Sequence, residues 1–428
     1  MEPIDIIILS NGPGEMATWV LPTLKALSQQ WGDDFSQVRI SLILSPCPNA
    51  SGQEVAIAES YPEIDRVQAA DYFFSFLLWG KTQENWDWRQ QGLVLFLGGD
   101  QFFPLVIGKR LGYRTVVYAE WEARWYRWID HFGIRQSMIA ERIPTRYQKK
   151  LTVIGDLMTD LPLSNYQLPD NGYQIALLPG SKPEKLAQGV PLCLAIAEAI
   201  RDRHPQTTFI LPLAPGLSIE RLAKFADPNY NDLIQKLTWG SAELNPAQNE
   251  GVNRDTAPFL TTKSNLKVKI ITQFPAHESL ARCHLALTTV GANTAQLASL
   301  GIPMIVLLPT QQLEAMRHWD GIPGILAALP GVGSFLAKQL NAYILRKKRL
   351  FAWPNIWAKA EIVPELLGEL QPEKIAQQVS ELLENPDQLL QMRARLQKVR
   401  GEAGAAIRLA EVVKRQIDNK EKIESVAR

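Results

Sequence analysis

The sequence is poor in cysteine, with only three in 428 residues. Cys47, Cys193 and Cys283 lie far apart and show no C-x-x-C spacing. A disulfide framework or a structural zinc site needs several cysteines at characteristic spacings. The sequence therefore argues against a disulfide-stabilised secreted domain and predicts a protein of the reducing cytoplasm.

The sequence also lacks an excess of charge of either sign, because 45 Lys and Arg face 44 Asp and Glu. Such a chain has no overall field to attract a long polyanion, so we expect no nucleic acid partner. No D-x-D pattern occurs, and the five histidines show neither H-x-x-x-H nor H-E-x-x-H spacing. We therefore predict no bound metal and no cofactor.

Long hydrophobic runs are missing as well. The most apolar tract, residues 72–79 (YFFSFLLW), is far shorter than the roughly 20 residues that cross a bilayer. The first residues, MEPIDIIILS, are acidic and lead directly into a strand-like run, unlike a secretory signal. We expect a protein without a membrane-spanning segment.

Short β-branched runs, which predict strands, alternate with helical patterns in two successive series. The first series has runs at residues 4–10, 38–45, 93–98, 114–118 and 151–154, and the second at residues 174–178, 207–213, 268–272, 284–289 and 304–308. Continuous apolar strands separated by helices are typical of parallel sheets covered on both faces. Residues 161–173, between the two series, have the Pro, Asn and Gly content of a hinge. The sequence predicts an α/β fold with two Rossmann-like, doubly wound domains, at residues 1–168 and 169–395. C-terminal helices at residues 396–428 could cross back to the first domain, and residues 241–265 are predicted to be a polar surface insertion.

The turn at residues 178–182 (LPGSK) ends one of these strands and begins a helix. The N–H groups and dipole of a helix start favour an anion, and Gly180 permits its close approach. Ser181 adds a hydroxyl donor and Lys182 a positive charge. A pyrophosphate would fit there, although a capped helix without a ligand explains the short motif equally well.

A second strand leads through a glycine into a helix at residues 288–296 (TTVGANTAQ). Gly291 would again allow close approach of an anion. Polar side chains around it could contact phosphate oxygens or a ribose hydroxyl: Thr289, Asn293, Thr294 and Gln296. Two such helix starts in one domain predict a nucleotide site more strongly than either does alone.

Two carboxylates in the first domain are candidates for the general base of a reaction. Asp100 directly follows a buried-type strand and the pair Gly98–Gly99, although it could equally cap the next helix. Glu15 is the alternative base, in a turn where Gly12 and Gly14 would let a sugar or acyl ligand approach the backbone. Ordinary loop-building glycine is the simpler explanation of that turn, because it lacks the full G-x-G-x-x-G pattern.

Two segments have the composition of a membrane-contacting surface. The first is the aromatic tract, and the second is the basic, partly apolar stretch at residues 332–350. Burial in the core is the alternative for the first segment, and a solvated helix end for the second. The residues predicted to contact acyl chains are Phe73, Phe74, Phe76, Leu77 and Trp79.

The chain resembles the lipid-A-disaccharide synthase family over nearly its whole length. That family has a G-x-D motif, an LPGSR turn, an SGT…E helix followed by PMV, and a PN…VPE segment. The order and spacing of five short motifs carry the resemblance here: residues 98–100 (GGD), 178–182 (LPGSK), 290–296 (VGANTAQ), 303–305 (PMI) and the pair 354–355 (PN) with 363–367 (VPELL). The chain looks closer to the lipid-A-disaccharide-synthase-related proteins of cyanobacteria than to the enzymes themselves. The run at residues 119–128 (AEWEARWYRW) and the N-terminal NGPGEM depart from the family pattern.

The resemblance implies a GT-B glycosyltransferase fold, with both domains facing a central cleft. It implies that the first domain binds the acceptor, that the second binds the nucleotide sugar, and that Asp100 is the base. Around the nucleotide sugar it places Lys182, Gln296, Asn293, Thr294, Asn355, Glu361 and Glu365. The implied reaction is an inverting, metal-independent transfer from a UDP-sugar to a lipid or glycolipid acceptor. The implied protein is peripheral on the inner face of the membrane, and a homodimer is left open.

Two other functions are compatible with the same sequence. A GT-B nucleotide-sugar 2-epimerase would share the two-domain shape and use carboxylates and histidines for catalysis. A non-catalytic nucleotide-sugar or lipid-binding protein would explain the altered SGT…E helix, in which Gln296 replaces the glutamate.

Overall fold

A computed structural model describes residues 3–47, 50, 52–161, 172–246, 257–309 and 350–427. The chain divides into two compact units. Unit 1 comprises residues 1–162 and 401–428, and unit 2 comprises residues 163–400. The predicted domain boundary at 168–169 and most of the basic stretch at 332–350 lie outside the described residues.

Unit 1 contains a seven-stranded sheet in the order β3-β2-β1-β4-β5-β6-β7. All of its strand pairs are parallel. The central strand, β1, is buried along its whole length because both sheet faces are covered by other elements. The strands are β1 (Ile4–Ser10), β2 (Val38–Leu44), β3 (Arg66–Gln68), β4 (Gln91–Phe96), β5 (Arg114–Ala119), β6 (His131–Ile134) and β7 (Leu151–Val153).

The connections between these strands are mostly helical. The α-helices are α1 (Pro13–Glu15), α2 (Leu21–Trp31), α3 (Glu54–Glu59), α4 (Phe73–Trp79), α5 (Phe102–Leu111), α6 (Ser137–Glu141) and α7 (Thr145–Gln148). A π-helical turn, Met16–Val20, joins α1 to α2, and 3₁₀ turns lie at Gly32–Gln37, Ala70–Tyr72 and Leu157–Asp160.

Unit 2 contains an eight-stranded sheet in the order β10-β11-β12-β9-β8-β13-β14-β15. The strands are β8 (Gln174–Leu178), β9 (Thr208–Pro212), β10 (Ala242–Asn245), β11 (Phe259–Thr262), β12 (Lys267–Ile271), β13 (Leu285–Thr289), β14 (Met304–Pro309) and β15 (Glu365–Gly368). The pairs β10–β11 and β11–β12 are antiparallel, and the others are parallel. The stretch predicted as a surface insertion therefore adds two strands to one edge of the sheet.

The described helices of unit 2 are α8 (Pro183–Arg203), α9 (Ile219–Lys224), α10 (Leu233–Leu237), α11 (His277–Ala281), α12 (Ala292–Leu300), α13 (Trp353–Ala358), α14 (Pro372–Glu384) and α15 (Pro386–Arg400). Helix α15 runs through the predicted boundary at 395–396, so the chain leaves unit 2 only at Gly401.

The last helix, α16 (Ala405–Ala427), belongs to unit 1. The Asp160 carboxylate accepts hydrogen bonds from the backbone N–H groups of Gly404 and Ala406 at its start. Arg408 then donates to the carbonyl of Ile154, 2.6 Å away. These contacts hold the start of α16 against the segment that follows the carboxyl-terminal end of β7.

A buried ion network lies at the amino-terminal end of β1, the end away from the strand ends at which substrates bind. Asp5 is fully buried, and its carboxylate accepts bonds of 2.7 and 2.9 Å from the Arg39 guanidinium. The Arg89 backbone N–H and the Tyr113 hydroxyl donate to the same carboxylate. Because substrates of such sheets bind at the carboxyl ends of the strands, we interpret this network as structural.

The prediction of an α/β fold with two largely parallel sheets is confirmed. All ten strands predicted from apolar runs are present, with ends that differ by up to two residues. Among the described residues, five short strands were missed: β3, β6, β10, β11 and β15.

Candidate functional site

Unit 2 brings its two glycine-bearing turns side by side. Strand β13 pairs in parallel with β8, with Thr288 opposite Leu178. The turns that follow the carboxyl-terminal ends of these two strands are therefore neighbours. Gly180 has φ of 111° and Gly291 has φ of 150°, which residues with a side chain rarely adopt. The first turn leads into α8, of 21 residues, and the second into α12, of nine. Two helix N-termini therefore converge on one place.

Lys185 connects the two turns, although the sequence motifs did not single it out. It lies in the first turn of α8, and its ammonium donates to the carbonyl of Val290, 2.9 Å away. The same Nζ would lie 3.8 Å from a Cβ built on Gly291. A positive charge is thus held beside the N-terminus of α12. Ser181 and Lys182, which the motif predicted, are exposed just before α8.

Thr294 and Asn355 are committed to bonds within the protein. The fully buried Thr294 hydroxyl donates to the Gly291 carbonyl and accepts from the Trp353 backbone N–H. Asn355 is also fully buried; its amide donates to Val363 O and a Glu365 oxygen, and accepts from two backbone N–H groups. We therefore no longer expect these two side chains to contact a sugar directly. They hold the start of α13 in place beside α12.

The other predicted donor residues differ in exposure. Asn293 and Gln296 are partly exposed in the first two turns of α12. Glu361 is exposed, and its carboxylate accepts from the Glu365 backbone N–H at 3.4 Å. Glu365 itself accepts from the backbone N–H groups of Phe351 and Ala352 as well as from Asn355.

In unit 1, Gly12 and Gly98 make room for the protein's own side chains. A Cβ on Gly12 would lie 2.5 Å from a Glu15 carboxylate oxygen. A Cβ on Gly98 would lie 2.7 Å from the Asn11 side-chain oxygen. Gly14 is exposed, with open space beside it. The sequence suggested that Gly12 lets a ligand approach the backbone. In the structure, the close packing of Glu15 accounts for this glycine instead.

Burial raises the pKa of Glu15. Its own backbone N–H opposes this effect, and the nearby Glu54 carboxylate adds to it. Asp100, in contrast, is exposed, and its Oδ1 accepts from the Phe102 backbone N–H at 2.8 Å. Asp100 thus satisfies one backbone N–H group at the start of α5, whereas the N-cap position that the alternative prediction gave to Asp100 is occupied by Gln101. This hydrogen bond does not prevent a second role for an exposed carboxylate.

Three more strand ends of unit 1 contribute a cluster that sequence reasoning missed. Glu120 follows β5, Arg135 follows β6 and Asp156 follows β7. The Arg135 guanidinium lies 3.0 Å from Asp156 and 3.6 Å from Glu120, measured between the nearest charged atoms. Asp156 is the closer and more deeply buried partner, so the positive charge of Arg135 stabilises the Asp156 carboxylate more than that of Glu120.

This arrangement raises the pKa of Glu120 to about 7. Burial is the main cause, and the Asp156 carboxylate adds to it, while Arg135 and a hydrogen bond from Trp121 act in the opposite direction. Burial likewise raises the pKa of Asp156. The Glu120 side chain is 21% exposed, so it can exchange a proton with a bound molecule near neutral pH.

The predicted membrane segment forms α4, and only one of its faces is exposed. Phe73, Phe76 and Leu77 are buried in the unit 1 core, so their assignment to a membrane surface is wrong. Their spacing of i, i+3 and i+4 is that of the buried face of a helix. Phe74 and Trp79 are 53% and 68% exposed, so those two assignments remain predictions.

More exposed aromatic side chains lie elsewhere on unit 1. Phe102 packs against Trp125, with ring centroids 5.3 Å apart, and Trp125 packs against Trp128. The Gln101 side chain joins this loop to the Asp100 turn by bonding the Glu122 carbonyl and the Arg124 N–H. An apolar surface thus adjoins the candidate base. In the described part of the chain, no helix is long and apolar enough to cross a bilayer.

Comparison with solved structures defines the fold class as GT-B. A Listeria monocytogenes protein assigned as UDP-N-acetylglucosamine 2-epimerase aligns over 98% of this chain and 98% of its own, with a TM-score of 0.52 and 13% identity. Identity at this level shows the fold alone. The expectation of a GT-B fold is thereby confirmed.

The sequence is similar to lipid-A-disaccharide synthases. That of Anaeromyxobacter sp. strain K is 26% identical over 250 residues, which cover 58% of this chain and 50% of the relative. That of Geobacter sulfurreducens is 23% identical over 336 residues, which cover 78% of this chain and 66% of the relative. The chain thus spans about half to two thirds of the length of these curated relatives. No protein-family model matches the chain.

Proposed function

We propose that this protein is a glycosyltransferase that moves a sugar from a UDP-sugar to a lipid-linked acceptor, as the names of its relatives suggest. The observation that carries the proposal is the pair of adjacent helix starts in unit 2, with Lys185 held between them. Such an arrangement suits the diphosphate of a nucleotide sugar. The partly exposed Asn293 and Gln296 would contact the remainder of the donor.

The reaction needs one proton acceptor and one stabilised leaving group. The acceptor O–H breaks, its oxygen bonds to the anomeric carbon with inversion, and the glycosidic electron pair leaves on the diphosphate. We assign the proton to Asp100, because its exposed carboxylate follows a strand at the edge where substrates bind. Glu15 is the alternative base. The helix starts and nearby lysines would stabilise the charge on the UDP without a metal ion.

We further propose that the acceptor is presented at a membrane surface. Phe74 and Trp79 on α4, with the Phe102–Trp125–Trp128 group, expose aromatic rings of the kind favoured at a bilayer interface. Arg110 donates to the carbonyls of Phe76 and Leu78, which places a cation at the end of α4. A cation beside exposed aromatic rings suits an anionic lipid surface on the cytoplasmic side.

A binding and turnover screen with UDP-, GDP- and dTDP-sugars, with total lipid extract as acceptor, tests this proposal. We expect UDP and one UDP-sugar to raise the melting temperature, and that UDP-sugar to release UDP only when lipid is present. If no nucleoside diphosphate changes the melting temperature, the donor assignment fails. If a UDP-sugar is bound but never consumed, the protein is a binding protein.

A nucleotide-sugar 2-epimerase is the second candidate, favoured by the carboxylates Glu15, Glu120 and Asp156 at the strand ends of unit 1, whose pKa values are raised mainly by burial. An epimerase would convert the UDP-sugar into its C2 epimer without lipid. Chromatography of the nucleotide sugars after incubation without lipid distinguishes the two activities, because a transferase leaves the donor unchanged there.

A further inference from the structure

The two turns of unit 2 contain one polar group that the protein leaves unsatisfied. Thr289, the last residue of β13, is 7% exposed, and its hydroxyl has no hydrogen-bond partner among the described residues. A Cβ built on Gly180 would lie 3.3 Å from this Oγ1, so the hydroxyl faces the turn that begins α8. Leaving a buried hydroxyl unpaired is unfavourable, because the group has lost its hydrogen bonds to water and gained none in the protein.

The neighbouring threonine shows that this is not a general property of the strand. Thr288 is also buried, but its hydroxyl donates to the Thr289 carbonyl at 3.1 Å. The unsatisfied donor is therefore confined to the position that faces the first turn. A hydroxyl can donate to a phosphate oxygen, which would satisfy it.

Lys185 places a positive charge at the same position. Its Cβ would lie 2.8 Å from a Cβ on Gly180, and its ammonium reaches the second turn at Val290. A side chain on Gly180 would therefore collide with the stem of the lysine that connects the two turns. Three features that favour an anion meet here: two helix N-termini, an ammonium and an unsatisfied hydroxyl.

We propose that Thr289 and Lys185 bind the diphosphate of a nucleoside diphosphate ligand, with the Thr289 hydroxyl donating to one phosphate oxygen and Lys185 neutralising the charge between the two helix starts. This assignment rests on the proposed function for the identity of the ligand. It names Lys185, rather than the exposed Lys182, as the cation of the diphosphate site.

Calorimetry on the full chain tests the assignment, with UDP, inorganic pyrophosphate and uridine as probes. We expect Lys185→Met and Thr289→Val each to weaken UDP and pyrophosphate binding by on the order of 10- to 100-fold, as for hydrogen bonds to charged groups. Any binding of uridine should be unchanged. Thr289→Val keeps the side-chain shape and removes no bond within the protein, so its melting temperature should not fall.

The chain offers a matched control for each variant. Helix α14 begins with Pro372-Glu373-Lys374, the same three residues that begin α8, so Lys374→Met removes an equivalent charge elsewhere in unit 2. Thr288→Val removes the adjacent hydroxyl and its internal bond. We expect Thr288→Val to lower the melting temperature and both control variants to keep wild-type UDP affinity.

The outcomes separate this assignment from the proposed function. If the wild type binds UDP and the Lys185 and Thr289 variants bind it as tightly as their controls do, the assignment is overturned and the proposed function stands. If the wild type binds pyrophosphate but not UDP, the proposed donor is wrong, and the variants measured with pyrophosphate decide the site. If it binds neither probe, both are overturned.

Discussion

Glu120 should make the stability of the protein depend on pH in a direction opposite to that of an ordinary ion-paired carboxylate. Its pKa is raised from 4.5 to about 7 in the folded protein. Between these two values the folded state holds a proton that the unfolded state has lost. The free energy of unfolding therefore falls as the pH rises through this window.

The size of the effect follows from the same two values. Each pKa unit corresponds to about 1.4 kcal/mol, so the full change is about 3 kcal/mol, with all of the stabilisation present below pH 4.5 and lost above pH 7. Glu120→Gln removes this titration while keeping the shape of the side chain. Between pH 4.5 and pH 8, the free energy of unfolding of the wild type should therefore fall by about 3 kcal/mol more than that of the variant.

Urea denaturation followed by tryptophan fluorescence, at pH 4.5 and pH 8, measures this difference. Glu122→Gln is the matched control, because its carboxylate lies two residues away and is 51% exposed. Glu15 and Asp156 titrate in all three proteins, so the comparison measures the loss of the Glu120 carboxylate together with its repulsion of these two groups. If Glu120→Gln and Glu122→Gln show the same pH dependence as the wild type, Glu120 does not hold a proton near neutral pH and our interpretation of the cluster is wrong.

Three further predictions follow from the site and its supports. Phe74→Ser with Trp79→Ser should release the protein from anionic vesicles in a sedimentation assay while leaving its circular dichroism unchanged; retained binding would refute the α4 surface. Asp100→Asn should lower turnover by roughly 10² to 10⁴ with donor affinity nearly unchanged, and an active variant would move the base to another carboxylate. Gly189→Ala should lower the melting temperature and nucleotide affinity together, because its Cβ would lie 2.3 Å from the Pro179 carbonyl oxygen; normal values of both would contradict the close contact between α8 and the first turn.

Much of the fold could be predicted because the central strands are mostly apolar. The run Ile4–Ser10 is buried throughout, and a run of this kind has few alternatives to a strand inside a parallel sheet. The strands that were missed are short or carry polar residues, as in Arg66–Gln68 and Ala242–Asn245. Their conformation comes from pairing with a neighbouring strand, which local sequence does not reveal.

The two glycine-bearing turns of unit 2 could be predicted because each is local in sequence, whereas the Glu120 cluster could not. Glu120, Arg135 and Asp156 come from three strand ends that only the order β5-β6-β7 brings together, and the strand before Arg135 was missed. The division of α4 into a buried and an exposed face was available in the sequence. The i, i+3 and i+4 spacing of Phe73, Phe76 and Leu77 indicates the buried face, but the aromatic composition of the tract suggested a membrane surface instead.

The central claim is that a sugar leaves its nucleotide and joins a lipid. A UDP-sugar labelled with one isotope in the sugar and another in the uracil tests it directly, by extraction into organic solvent after incubation with total lipid extract. We predict that the sugar label enters the organic phase while an equal amount of uracil label is recovered in the aqueous phase as UDP. If the two labels remain together in the aqueous phase at every time point, the protein does not transfer the sugar and the account is wrong.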